Sequence, residues 1–299
     1  MIRVIQTGPQ ALLQDAGRFG LAGTGVAPSG VFDRMSAVRA NHALGNDPFA
    51  PVIEILMGSF EFEALNDAHI ILTGMGAPFT ITRPDGTQRM GYSNEIVDIV
   101  AGERVFIKMA RTGLRGYLGI RGGFAAFQVL GSCSTDVMSN IGPAPLAPGD
   151  EIPTGNAIAE VAWWPALRNL PTLWKETKVH TLSVVPGPRQ GWFDEQSQQD
   201  FFNQTFTVNA ASNRIGVRLD AEIPLRRLDA TRELPSEGMV RGSIQVPPDG
   251  NPVIFGPDYP VTGGYPVIGV LTRRSSDHSA QLAPGDSIRF TTLSSAPHR

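Results

Sequence analysis

At 299 residues, with 41% hydrophobic and 18% charged side chains, the chain is long and apolar enough to bury one large or two medium cores. A formal net charge of −3, with Lys and Arg scattered rather than clustered, offers no electrostatic footprint for nucleic acid. The lone Cys133 excludes an intramolecular disulfide framework, and neither a secretory leader nor an apolar run of membrane-spanning length is visible; the expectation is a cytoplasmic protein with no membrane partner.

Taken in chain order, most apolar runs are short and bounded by turn residues, the pattern of β-structure. A first helix is expected over Met35–Leu44, after Asp33 as N-cap and before the stop at Gly45-Asn46. Ser59–Leu65 alternates apolar and polar residues as a half-buried strand does. His69–Thr73, Phe79–Thr82 and Arg104–Lys108 read as further strands, with Arg83–Gly86 as a turn. Residues 162–178 break the pattern with three Trp and two Pro and read as a linker between domains at 1–161 and 179–293. The three Trp can strap the linker onto its domains or dock a partner protein; strapping is the simpler reading. A fresh strand follows at His180–Val185, and a second helix is expected over Trp192–Asn203, with Asp194 and Glu195 in its first turn. Ala147–Ile152 returns as Ala283–Ile288, a slight sign of duplication. Many strands and few helices predict mainly β domains with helices on the outside.

Several motifs dissolve on inspection. Gly74–Phe79 half-matches a dinucleotide turn, but Pro78 and Phe79–Thr82 promise another strand where that fingerprint needs a helix. No Walker-type loop is present. Lys108 ends an apolar strand, whereas a biotinylated lysine sits at a hairpin tip, so no covalent biotin is expected. There is no G-x-S-x-G elbow, and Cys133 reads as a small buried side chain rather than a nucleophile. His42, His69, His180, His278 and His298 lack metal-ligand spacing, so no metal site of the chain's own is expected.

What remains suits amide and anion chemistry. Six Gly and six Pro fall between Ser236 and Pro266, threaded with strand-like runs at Ser243–Val246 and Pro252–Phe255, a composition that shapes a cleft rather than a core. The polar candidates there are Ser236, Glu237, Gln245 and Asp249, although Asp249-Gly250 alone also suits a hairpin turn. Near the N-terminus, Asp15 with Arg18, and Ser29 with Asp33, supply carboxylates, a guanidinium and a hydroxyl; an Asp beside Arg equally suits a structural ion pair. Arg121-Gly122-Gly123 and Gly263-Gly264-Tyr265 are candidate backbone nests for an oxyanion, or simple tight turns.

LLQDAGRFG at Leu12–Gly20, the run Gly25–Asn46, YLGIRGGF at Tyr117–Phe124, LGSCST at Leu130–Thr135, SNRIGVRL at Ser212–Leu219 and the segment Ser236–Pro266 occur in one order along nearly the whole chain. On these motifs the chain resembles the family that includes the C-type component of bacterial 5-oxoprolinase, allophanate-hydrolase subunit 2 homologues, the sporulation kinase-inhibitor antagonist and the urea carboxylase carboxyltransferase region. The resemblance implies two cyclophilin-like β-barrel domains. It implies ATP-dependent opening of the lactam of 5-oxoproline to glutamate, with ATP and Mg2+ as cofactors. It also implies a B-type partner, an allophanate hydrolase subunit 1 homologue, and a separate A-type component. Within that implied chemistry Asp15, Ser29, Asp33, Ser236, Glu237 and Gln245 are candidates for catalysis. Arg18, Arg121, Gly122, Gly123, Asp249, Gly250, Gly263, Gly264 and Tyr265 are candidates for binding substrate or phosphate. A carboxyltransferase acting on urea and a non-enzymatic antagonist are the alternatives. The chain departs from the family pattern at Asp258–Val261 and at Asp277–Ser279.

Overall fold

A computed structural model describes residues 1–160, 162–164, 168–175, 177–229 and 231–292. His298 and the expected boundaries at 161 and 293 lie outside the described residues. The chain divides into two compact units: Met1–Arg18, Ser29–Asp136 and Asn140–Glu176 form the first, and Phe19–Pro28, Val137–Ser139 and the chain from Thr177 onward form the second. The described residues are mainly strand, with three α-helices, and none of these helices is long and apolar enough to cross a membrane.

The first unit is built from β1 (Ile2–Gln6), β2 (Gln10–Gln14), β3 (Val52–Leu56), β4 (Phe60–Ala64), β5 (Ala68–Gly76), β6 (Pro78–Thr82), β7 (Gln88–Tyr92), β8 (Ile96–Ile99), β9 (Arg104–Ile107), β10 (Thr112–Ile120) and β11 (Glu151–Ile152). They make two sheets, ordered β11-β1-β4-β9-β6-β7 and β2-β3-β10-β5-β8. Alternation decides what each strand buries: in β4, Phe60, Phe62 and Ala64 point inward while Glu61 and Glu63 stay half-exposed. Phe60, Phe62, Phe79, Ile81, Val105 and Ile107 from the first sheet share one apolar cluster with Leu13, Ile53, Ile55, Ile70, Leu72 and Leu118 from the second.

Helix α1 (Arg34–Ala43) covers the other face of the second sheet, packing Ala40 and Leu44 on Ile71 and Ile96. With both faces covered, β10 is buried almost continuously, which removes the alternation a reader of the sequence relies on. Gly119 permits this approach, since a Cβ there would meet Leu44 Cδ1 at 3.1 Å and Ala40 Cβ at 3.3 Å. The expected N-cap is present: Asp33 accepts from Ser36 N at 3.0 Å. Gly74–Phe79 runs from β5 straight into β6 with no helix between them.

The linker Trp residues divide their work. Trp163 donates to Ala43 O at 3.0 Å and Trp174 donates to Asp33 Oδ2 at 2.6 Å, both strapping the segment to the first unit. Trp164 is 83% exposed.

The second unit contains β12 (Val179–Pro186), α2 (Glu195–Asn203), β13 (Phe206–Val208), β14 (Gly216–Ala221), β15 (Glu237–Gly238), β16 (Ser243–Gln245), β17 (Val253–Phe255), β18 (Thr262–Gly263), β19 (Val267–Leu271), α3 (Arg273–His278) and β20 (Ser287–Thr292). Seven strands close a barrel in the order β12-β19-β16-β17-β14-β13-β20, sealed by the parallel pairing of β12 with β20. Asp194 caps α2, which lays Phe201 against Phe290 with ring centroids 4.5 Å apart. β15 and β18 form a separate two-stranded ribbon.

The weak sequence echo has a geometric counterpart. In both Pro-Gly-Asp turns the Asp N–H donates to the Ala carbonyl, at 3.1 Å for Asp150 and 3.0 Å for Asp286, and the Ala N–H donates to Oδ2 of the Asp at 2.8 Å. Gly149 N donates to Val4 O and Gly285 N to Val208 O, so each turn docks on an equivalent strand of its own unit.

Two histidines meet where β12 leaves the linker: His180 Nδ1 lies 3.1 Å from His278 Nε2. Asp286 lies 3.6 Å from the other nitrogen of His180. Burial, then the neighbouring His180 and Arg274, push the His278 pKa down to about 4. A histidine held neutral in the fold protonates more readily when unfolded, so its contribution is present above the unfolded pKa near 6.5 and is lost as pH falls towards 4. The expected loss between pH 7 and 4, discounted for partial exposure, is about 2 kcal/mol. Denaturant titrations at the two pH values check it: His278→Gln should flatten that part of the pH profile.

Candidate functional site

The N-terminal candidates fall on one stretch of the first unit but take different roles. Asp15 follows β2, and its Oδ1 accepts from Ser132 Oγ and Ser134 Oγ, both at 2.6 Å, and from Gly17 N at 2.8 Å. Its Oδ2 accepts from Cys133 N at 2.9 Å. Burial pushes the Asp15 carboxyl up, but these hydrogen bonds outweigh it and hold the group below its ordinary value. Asp15 is therefore an ionised clamp on the loop 132–134. Cys133 is buried, and burial followed by the Asp15 charge pushes its thiol far above the usual range, so it is no nucleophile at neutral pH.

Arg18 is 2% exposed. Its Nη2 donates to Ser134 O and its Nε to Val129 O at 3.4 Å, while Nη1 is buried without a hydrogen-bond partner. Arg18 thus pairs with carbonyls rather than with Asp15. Gln14, which the sequence did not single out, donates to Thr135 O at 2.8 Å and leaves Oε1 buried and unpartnered. Ser29, at a positive φ of 56°, donates to the same carbonyl at 3.2 Å. Asp33 serves as the helix cap already described.

Behind this loop lies a buried network that sequence reasoning missed. Glu54 accepts from Phe32 N at 2.9 Å and lies 3.7 Å from Arg115 Nε, and Tyr117 Oη accepts from Asp33 N at 2.6 Å. Arg115 also sits over the Phe32 ring, 4.6 Å from its centroid. A glutamate inside the apolar run VIEIL, Val52–Leu56, was the available signal.

Arg121, Gly122 and Gly123 are also in the first unit, with their donors engaged. Arg121 donates to Leu44 O at 2.6 Å and Glu160 O at 2.9 Å and stacks on Trp163. Gly122 N donates to Asn46 Oδ1 at 2.7 Å and Gly123 N to Ile120 O at 2.8 Å. The tight-turn alternative describes this segment, because a nest with its N–H groups donated internally has none to offer an oxyanion.

In the second unit the Gly- and Pro-rich segment brings most of its candidates together on the β15–β18 ribbon, where Glu237 pairs with Gly263. Arg189 makes a two-point ion pair with Glu237, Nε to Oε2 being 3.1 Å, and this hydrogen bonding holds the Glu237 carboxyl below its ordinary value. Gln245 is buried and donates from Nε2 to Tyr265 O at 3.1 Å. Gly263 leaves room for that approach, since a Cβ there would meet Gln245 Nε2 at 2.7 Å and push the amide aside. Gly264 connects the ribbon to Tyr265, whose ring carries the Arg227 guanidinium 5.5 Å from its centroid. Ser236 is exposed beside Glu237.

Asp249 and Gly250 stand apart, at the β16–β17 turn. Asp249 accepts from Asn251 N at 3.1 Å, and Gly250, at φ 80°, donates to Pro247 O at 3.0 Å. The hairpin-turn alternative describes them.

Both departures from the family pattern are structural pairs. Asp258 joins Arg214, and Asp277 of α3 joins Arg241, just before β16, at 3.3 Å. Lys108 follows β9 directly, its N–H donating to Pro78 O at 3.0 Å. Among the described residues no cluster of three or more His, Cys, Asp or Glu could hold a metal ion.

Comparison with known proteins decides the kinship. A family model described as the carboxyltransferase domain, subdomain A and B, matches residues 24–292. The chain belongs to the carboxyltransferase-domain family. The resemblance to the C-type component of 5-oxoprolinase is borne out within it: that component of the Escherichia coli enzyme is 33% identical over 98% of this chain and 92% of its own length. A Saccharomyces cerevisiae urea amidolyase is 31% identical over 98% of this chain but only 17% of its own. The crystal structure of the K. lactis urea amidolyase superposes with a TM-score of 0.86 at 28% identity, covering 98% of this chain and 19% of that one. Carboxyltransferase-domain proteins of this kind therefore occur in enzyme systems either as a component in its own right or as a small part of a long chain.

Proposed function

We propose that the chain is the C-type component of an ATP-dependent 5-oxoprolinase, opening the lactam of 5-oxoproline to glutamate together with B-type and A-type partners. The observation that carries this reading is the 33% identity running along nearly the whole of a 5-oxoprolinase component of that type. The second unit supplies suitable chemistry. With Nε2 committed to Tyr265 O, Gln245 presents its Oε1 as an acceptor for a lactam N–H. Glu237, kept ionised by Arg189, accepts hydrogen bonds and orients water; it holds no proton to give at neutral pH. Ser236, Gly264 and Tyr265 complete the rim. The nest at Gly122-Gly123 does not fit nucleotide phosphates, its donors being engaged, so this reading places neither ATP nor Mg2+ there and leaves both to groups completed by the B-type partner.

The test is ATP hydrolysis by this chain co-purified with its B-type and A-type partners, with and without 5-oxoproline. ADP and glutamate formed together, only when this chain is present, are the expected result. Glu237→Gln should lower kcat/KM at least about tenfold while leaving the assembly intact on size exclusion. The family model's own description favours a second reading, a carboxyltransferase acting on urea or a related amide. Carboxylation of urea on adding a biotin carboxylase and carrier, with no 5-oxoproline turnover, would select it. A tight complex with no turnover of either kind would select a regulatory antagonist.

A further inference from the structure

The second unit gathers three guanidinium groups beside two aromatic rings, the half-buried Trp192 and the exposed Tyr265, and they are not equivalent. Arg189 is neutralised by Glu237. Arg232 lies over the Trp192 ring at 4.2 Å, on the exposed side of the unit. Arg227 is held in place: its backbone bridges to Phe193, its Nη2 donates to Val246 O at 3.0 Å and its plane carries the Tyr265 ring. No carboxylate pairs with it among the described residues, and its Nε is buried without a hydrogen-bond partner.

A cationic N–H withdrawn from water without an acceptor is costly, and a planar fork fixed by a carbonyl and an aromatic face is suited to a two-point oxyanion. Tyr265 links this group to the amide-recognising one, because its ring carries Arg227 while its carbonyl carries Gln245. In 5-oxoproline the carboxylate is attached to the ring carbon bonded to the N–H, so the substrate presents an amide and an oxyanion side by side, and Tyr265 bears one group suited to each. We infer that Arg227 is the oxyanion receptor of the Gln245–Tyr265 site and takes the carboxylate of the lactam substrate, setting specificity for lactam acids over plain lactams. This rests on the functional reading above.

The experiment measures steady-state kinetics of the assembled complex with Arg227→Gln and Arg227→Lys. Three readouts are taken: KM for 5-oxoproline, KM for ATP, and inhibition by 2-pyrrolidinone, the lactam without a carboxylate. Arg227→Gln should raise KM for 5-oxoproline about 30-fold, leave kcat within about threefold and leave both the 2-pyrrolidinone inhibition constant and KM for ATP unchanged. Arg227→Lys should recover part of the loss, and it decides the matter if Arg227→Gln does not assemble. An equal weakening of 5-oxoproline and 2-pyrrolidinone would make Arg227 a structural brace and overturn the inference. A rise in KM for ATP alone would assign the oxyanion to a phosphate and overturn the carboxylate assignment. If the wild-type complex neither binds nor turns over 5-oxoproline, the functional reading fails separately. Arg227 is then judged by titration with glycolate and inorganic phosphate: saturable glycolate binding lost in Arg227→Gln upholds a carboxylate receptor, and its absence overturns it.

Discussion

Asp258→Ala is expected to destabilise the second unit by about 3–5 kcal/mol, the usual effect of stranding one half of a buried ion pair. Arg214 and Asp258 are 1% and 0% exposed, and they meet at two points, Nε to Oδ2 at 2.8 Å and Nη2 to Oδ1 at 3.0 Å. Asp258 Oδ2 also accepts from Val137 N at 3.1 Å, so the carboxylate ties a short segment from the first half of the chain to the barrel unit. Without it the buried guanidinium loses this two-point partner. Urea denaturation monitored by intrinsic fluorescence checks the loss. The double variant Arg214→Met/Asp258→Leu should recover much of it, because replacing both charges removes the desolvation penalty along with the attraction. A double variant no more stable than Asp258→Ala would mean that the bond to Val137, rather than the ion pair, carries the effect.

Asp15→Ala comes next, with an expected loss of about 3 kcal/mol. Two backbone N–H groups, from Gly17 and Cys133, and two serine hydroxyls donate to this one carboxylate. The hydroxyls can rotate towards other acceptors, but the buried N–H of Cys133 cannot, and its desolvation is left uncompensated. Asp15→Asn keeps one acceptor oxygen and should lose less. The sign with pH follows from the depressed pKa: this stabilisation is present above the ordinary aspartate range and is lost as pH falls through the lower folded value. Thermal unfolding at pH 7 and pH 3 measures both effects. A normal melting temperature for Asp15→Ala, combined with lost turnover in the assembled complex, would instead return Asp15 to the catalytic group for which the sequence made it a candidate.

These two residues show where sequence reasoning succeeds and where it stops. Asp33 as an N-cap, the alternation of Phe60 and Phe62 with Glu61 and Glu63, and the turn at Arg83–Gly86 were all legible, since each depends on neighbours within a few positions. The second helix was legible too, starting at Glu195 rather than Trp192 because Asp194 is its cap. Short helix α3 went unread: a six-residue segment of Arg, Ser, Asp and His carries no apolar period. Asp15 and Arg18 sit three positions apart and look like an ion pair, yet, apart from the local bond from Gly17 N to Asp15, each takes its partners from residues 129–134, more than a hundred positions away.

By itself, the amino-acid sequence determined the mainly β class, the helix caps, the tight turns and the family, because these reside in local chemistry or in the order of long motifs. Only the tertiary structure decided which candidates stand together. It set Gln245 of the barrel against Tyr265 at the end of the ribbon that carries Glu237, and added Arg189 and Arg227 to them. It committed Arg121, Gly122 and Gly123 to internal carbonyl and amide partners. The physical reason is that a polar side chain's role is set by which partners desolvation forces upon it, and those partners come from distant strands whose register no local pattern records.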